Sequence, residues 1–162
     1  MISLIAAVDC NYGIGSGGRP LWANGLPADS QRFRELTANS TVIMGRKAYE
    51  SFHGVLMGRQ NIVVSHHLQS QDGVTFAHDL KEAYREAINR DVNVIGGASI
   101  FSQAILDADR IYLTVVDKAF NDVDAYFPAI DPTVWREARR EDFLADGRNA
   151  YNYSFVAYER IG

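Results

Sequence analysis

The stretch LPAD at residues 26–29 places an aspartate two positions after a proline, at the head of a segment, SQRFRELTA, that reads as a helix. Aspartate is favoured at helix N-termini, where its oxygen accepts a free backbone N–H, so capping is the plain explanation. The spacing asks for more. On a helix begun by Pro27, the residues Asp29, Phe33 and Leu36 stand at i, i+4 and i+7, so the carboxylate shares the stripe that carries the apolar side chains. Beside an apolar cleft, such a carboxylate suits a ligand with two adjacent N–H donors, like the amidine edge of a heterocycle. Without that ligand its pKa is expected to rise.

A second group of residues suits phosphate. The run TVIMG (41–45) is followed by Arg46 and Lys47 at an expected helix start, where free N–H groups and two cations favour an anion. NIVVS (61–65) ends in Ser65, followed by His66 and His67, and VNVIGG (92–97) ends in Gly96 and Gly97 directly before a helix. Each has a plain reading as well, a solvated helix start or a tight turn, and none completes the dinucleotide fingerprint GxGxxG. Basic residues where an NAD site tends to carry an acid favour a 2′-phosphorylated cofactor. The loop NYGIGSGGRP (11–20) is either a connector or a lid over the cleft.

These residues need a scaffold that brings them together. Continuous apolar runs at 2–8, 41–45, 61–65, 74–77 and 92–97 alternate with helical patterns at 28–38, 47–53, 79–90 and 98–108. Such alternation predicts right-handed crossovers and a mainly parallel sheet covered on both faces, with ligands at the carboxyl ends of the strands. The runs at 110–117, 135–143 and 149–160 have no helix between them and predict antiparallel strands at one edge. The fold class is therefore α/β, a single domain over 1–162.

With 162 residues, 47% of them hydrophobic, the chain can bury a proper core. A net charge of −4, with the basic residues scattered, argues against nucleic acid as a partner. The opening MISLIAAV is too short for a membrane span and reads as a first strand, so no membrane partner and a cytoplasmic location are expected. Cys10 is alone and is read as a packing residue, and the four histidines show no ligand spacing, so no metal site is expected.

Seven segments, taken in order, resemble the dihydrofolate reductase family: MISLIAAVDCNYGIG, LPAD with Phe33 and Thr37, VIMGRKAYESF, LMGRQNIVVS, VIGGASIF, IYLTVVD and DAYFP. The resemblance spans essentially the whole chain. It implies a central sheet of about eight strands with about four helices, and reduction of 7,8-dihydrofolate to tetrahydrofolate by NADPH. It also implies a place in one-carbon metabolism and a target for antifolates. By this resemblance Asp29 grips the pterin N3 and 2-amino group, Thr114 supports it, and Trp22 orders water nearby. Ile5, Ala7, Ser30, Phe33, Phe52, Leu56, Ile95 and Phe101 match the substrate pocket, and Arg59 the arginine that pairs with the glutamate tail, a task suited to its fork. On the cofactor side stand Ala7, Ile14, Gly15, Gly45, Arg46, Lys47, Ala48, Val64, Ser65, His66, Gly96, Gly97, Ala98, Ser99, Ile100 and Phe101. Of these, Arg46, Ser65 and His66 would face the 2′-phosphate, and the Gly96–Gly97 bond would be cis. A monomer is the default for this size and family.

The chain also departs from the family pattern. Pro20-Leu21-Trp22 stands where apolar-Pro-Trp is usual, and the connector from Trp22 to Asp29 is longer. Ser30 replaces a large apolar residue, and together with the longer connector this predicts that binding of diaminopyrimidine antifolates is weakened more than binding of dihydrofolate. Ala48 replaces a hydroxyl donor, Ser99 an arginine, and Met57 a proline; a lost phosphate hydrogen bond or cation weakens cofactor binding by about 1 to 3 kcal/mol each. Two other readings stay open: the related NADPH-dependent pyrimidine reductase of riboflavin biosynthesis, and an NADPH-binding module without turnover.

Overall fold

In the computed structural model, which describes residues 1–16, 21–22, 25–52, 55–67 and 73–162, the apolar runs form the centre of an eight-stranded sheet. The strands are β1 (Ile2–Val8), β3 (Thr41–Gly45), β4 (Gln60–Val64), β5 (Val74–Ala77), β6 (Val92–Val94), β7 (Arg110–Val116), β9 (Trp135–Phe143) and β10 (Tyr153–Arg160). They lie in the order β5-β4-β3-β6-β1-β7-β10-β9. Every pair from β5 to β7 is parallel, and β10 joins β7 and β9 antiparallel. The expected architecture is therefore the observed one. β3 is buried at all five positions, as a strand covered on both faces should be.

Among the described residues, four helices flank the sheet: α1 (Pro27–Thr37), α2 (Arg46–Ser51), α3 (Leu80–Glu86) and α4 (Ala98–Ala104). One core layer joins Leu4, Ile43, Ile62, Ile111 and Leu113 to Phe101 and Ala104 of α4 and Ala83 of α3. A second, smaller one sets Ile5, Val42, Met44, Val63 and Ile95 against Phe33 and Leu36 of α1 and Tyr49 of α2.

Several boundaries differ from expectation. α3 stops at Glu86 instead of Arg90 because the Gln60 side chain takes over its end, donating to the Glu86 carbonyl and accepting from the Ile88 N–H. α4 runs out at Ala104 into a turn. Residues 149–152 are not strand, since Asn149 is bound by Asp146 and reaches across to α1.

A two-stranded ribbon was not foreseen: β2 (Gly13–Gly15) pairs antiparallel with β8 (Ala125–Tyr126). It is anchored by Asp9, a buried carboxylate that accepts from the Asn11, Gly13 and Phe120 N–H groups. Gly13 is required there, since a Cβ would lie 2.7 Å from Val123 Cγ1. This turn also corrects the reading of Cys10, which is exposed at its tip and packs no core. Of the expected lid, residues 17–20 lie outside the described residues, as do 23–24 of the long connector, His53, and Pro20 of the exchanged pair. Among the described residues, no helix is long and apolar enough to cross a membrane.

Candidate active site

Parallel pairing puts the carboxyl ends of β3, β4 and β6 side by side. Gly45 is in register with Val64, and its N–H donates to the Gly96 carbonyl at 2.8 Å. Gly45 is confined by α4, where an added Cβ would sit 2.9 Å from Ile100 Cγ1. The three phosphate-friendly segments thus converge on one end of the sheet, as the α/β reading required.

Next to them opens a cleft of about 480 Å³. Its floor is Ile5 and Ala7 of β1 with Ile95; one wall is α1, through Asp29, Ser30 and Phe33. The opposite wall holds Ala48, Phe52 and Leu56, and the far end Ile14, Trp22, Gly96, Gly97 and Phe101. All of these were expected from the sequence. Phe33 and Phe52 stack across it, 6.0 Å between centroids and 19° between planes.

Asp29 lies in the first turn of α1 and does not cap it. The helix has no side-chain cap of its own at Leu26; the Ala28 N–H instead donates to Asn149 Oδ1 at 3.0 Å. The Asp29 carboxyl is free to face the cleft. Burial raises its pKa above the ordinary value, while a hydrogen bond with Thr114 and the charge of Arg32 pull it part of the way back. Thr114 is buried on β7, directly beside Ala7 of β1. The carboxyl therefore costs free energy in the free protein, which a ligand with paired N–H donors offsets.

Arg59 is held ready by neighbours. Nε donates to Thr37 Oγ1 at 2.8 Å, Nη2 to the Arg34 carbonyl at 3.1 Å, and Nη1 to the Met57 carbonyl. The loop beneath it is clamped by buried Asn61, whose Oδ1 accepts from Leu56 N–H and whose Nδ2 donates to the Leu56 and Arg59 carbonyls.

The remaining expected cofactor residues lie outside the cleft lining. Arg46 and Lys47 are exposed, with Arg46 paired to Glu50 at 3.0 Å, and His66 is exposed. Ser65 is buried, its hydroxyl engaged with His67. Gly15 belongs to the β2–β8 ribbon, and Ala98, Ser99 and Ile100 form the first turn of α4. The Gly96–Gly97 bond is cis.

Sequence reasoning missed Ala6, Leu21, Arg34 and Ser51, which also line the cleft. The cleft face of α1 is 29, 30, 33 and 34, whereas Leu36 packs into the core and rims a groove behind the helix. Arg34 stands at i+4 from Ser30, and a stripe drawn one position over would have included it.

An apolar cleft with an acid on one helix, opening beside the converging strand ends of a mainly parallel sheet, is the arrangement of an α/β enzyme that binds a small molecule. The chain belongs to the dihydrofolate reductase family, whose model matches residues 1–160. It is 38% identical to dihydrofolate reductase type 3 of Salmonella typhimurium over 99% of this chain and 98% of that one. With dihydrofolate reductase of Bacillus subtilis (strain 168) it shares 35% identity over 99% and 95% of the two chains. A solved dihydrofolate reductase from Enterococcus faecalis, complexed with NADP(H) and RAB-propyl, superposes with a TM-score of 0.90 at 30% identity, covering 100% of this chain and 97% of that one.

Proposed function

We propose that this enzyme reduces 7,8-dihydrofolate to 5,6,7,8-tetrahydrofolate by hydride transfer to pterin C6 and protonation of N5, with residues 1–162 acting as one domain. The observation that carries this reading is Asp29: an acid half-buried in an apolar cleft, backed by Thr114 and relieved of capping by Asn149.

NADPH is the cofactor, and the residues present fit it. A Cβ on Gly97 would meet nothing within 4 Å, so there is open space where α4 begins, and α2 and α4 start at Gly45 and Gly97 with no side-chain cap on their first N–H groups. Arg46 and Lys47 add exposed positive charge beside them. Bound there, NADPH supplies the hydride. The chain's own residues do the rest. Asp29 accepts from pterin N3 and the 2-amino group, fixing the ring and polarising it without touching N5. Phe33, Phe52, Leu56 and Ile95 hold the ring and the aminobenzoyl group away from water, and Arg59 pairs with the tail carboxylate. The proton for N5 arrives through water, near which Trp22 stands. The enzyme works as a cytoplasmic monomer.

Loss of NADPH absorbance on adding dihydrofolate, for the wild type and Asp29→Asn, tests this. Turnover in the wild type, with kcat/KM about 10- to 150-fold lower in the variant, is the expected result. Undiminished turnover in the variant would make Asp29 structural. No turnover in either, with NADPH still bound, would favour the pyrimidine reductase or the binding module.

A further inference from the structure

Behind α1, on the side away from the cleft, lies a second groove of about 520 Å³ between the helix and strands β7, β9 and β10. Arg32 occupies it. Its Nη1 donates to the Leu113 carbonyl at 3.0 Å, and its guanidinium lies over the Phe155 ring, 4.3 Å from the centroid. Both attachment points adjoin Thr114, the residue that supports Asp29. Leu113 precedes it on β7, and Phe155 of β10 is its direct partner across the ladder. Arg32 is also one helical turn from Asp29, at i+3. A single side chain therefore ties the helix that carries the acid to the two strands that place its hydrogen-bond partner.

We infer that Arg32 is a positioning residue for Asp29: from behind the helix it fixes the acid against Thr114, and its charge favours the carboxylate that the substrate requires. This inference rests on the folate-reducing reading and deepens it.

The surrounding charges are compatible with that role. Asp29 is faced by Arg32 from its own helix and by Thr114 from β7, and Arg34 lines the same cleft. Arg32 is faced by Tyr112 of β7, by Arg139 and Glu141 of β9, and by Glu35 on α1. Arg139 is paired with Glu141 at 3.1 Å, and Gln31 donates to Glu35 at 3.1 Å. Both nearby acids thus have other partners, and the half-buried guanidinium acts through a weakly screened interior toward Asp29. Seated on an aromatic face and bonded to a carbonyl, it keeps its place as the pH changes.

The test is a carbon-13 titration of the aspartate carboxyl groups in the ligand-free protein, with Asp29→Asn assigning the signal. Arg32→Met keeps the stem and removes the charge; Arg32→Lys returns a charge. The Asp29 midpoint should rise by about half a pH unit in Arg32→Met and fall back toward wild type in Arg32→Lys. Should Arg32→Met fail to fold, Phe155→Leu removes the seat while keeping the charge, and the midpoint should rise by a smaller amount. A midpoint unchanged in whichever of Arg32→Met and Phe155→Leu folds would overturn the inference and leave Arg32 a packing residue. Wild-type turnover of dihydrofolate separates that result from failure of the functional reading, because an inactive wild type sinks the latter alone.

Discussion

Asp29 shows how a site residue sets its cost against its use. Burial lifts its pKa above the ordinary 3.8, so the folded protein holds this proton more tightly than the unfolded chain. The stability Asp29 contributes is therefore fully present below pH 3.8 and is lost as pH rises through its raised folded value. Compared with wild type, ligand-free Asp29→Asn should gain thermal stability on going from acid to pH 8. Melting curves at the two ends check this, and a relative loss would show that Thr114 and Arg32 outweigh burial. Ser30, the next residue along the same wall, is exposed in the cleft. Ser30→Leu should tighten trimethoprim inhibition by up to about tenfold, since a leucine there buries apolar surface against a ring. Inhibition constants that do not move would assign the departure at this position no part in antifolate binding. The acid itself was legible in the sequence because helical periodicity carries a side chain's facing direction. Arg32 was not, because its meaning lies in contacts with residues 113 and 155, far along the chain.

Helix capping draws the same distinction among elements. α3 carries its cap locally, with Asp79 accepting from the Glu82 N–H at 2.8 Å and the Glu82 carboxylate returning to the His78 N–H. Such a pattern is readable from five adjacent residues. α1 instead borrows Asn149, 121 positions away from the Ala28 N–H it accepts from. Asn149→Ala should cost about 1 kcal/mol, lowering the melting temperature by about 2 to 4 °C. KM for dihydrofolate should rise too, since the first turn of α1 carries Asp29. An unchanged melting temperature would mean that packing alone holds the helix start. Asn61 belongs with Asn149: an asparagine whose sequence neighbours announce nothing, yet whose side chain closes the loop under Arg59. The strand ends at Gly45 and Val64 were legible to within a residue because an apolar run stopping at glycine or a polar residue marks a boundary by composition, whereas β6 stops at Val94, short of the glycine pair.

For the molecule as a whole, the edge formed by β9 bears on assembly. From Arg136 to Phe143 it is exposed, and its charges are paired in place: Arg136 with Glu159, and Arg140 with both Glu137 and Asp142. Charged edges discourage strand addition by a second copy. Sedimentation at about 100 μM should give one species of 18.0 kDa; a dimer would refute the monomeric reading. The alternation of apolar runs with amphipathic segments already determined the sheet, its parallel centre and its antiparallel margin, because hydrophobic periodicity is a property of neighbours in sequence. It put Asp29 and Phe33 on one stripe of a helix and the glycine turn after a strand, whereas Arg59 came only from the resemblance to the family. The ribbon at 13–15 and 125–126, the exposure of Cys10, the borrowed cap and the arginine behind the acid were decided only by the tertiary structure. Each depends on groups brought within a few ångströms across long stretches of chain, and such pairings leave no period in the sequence to read.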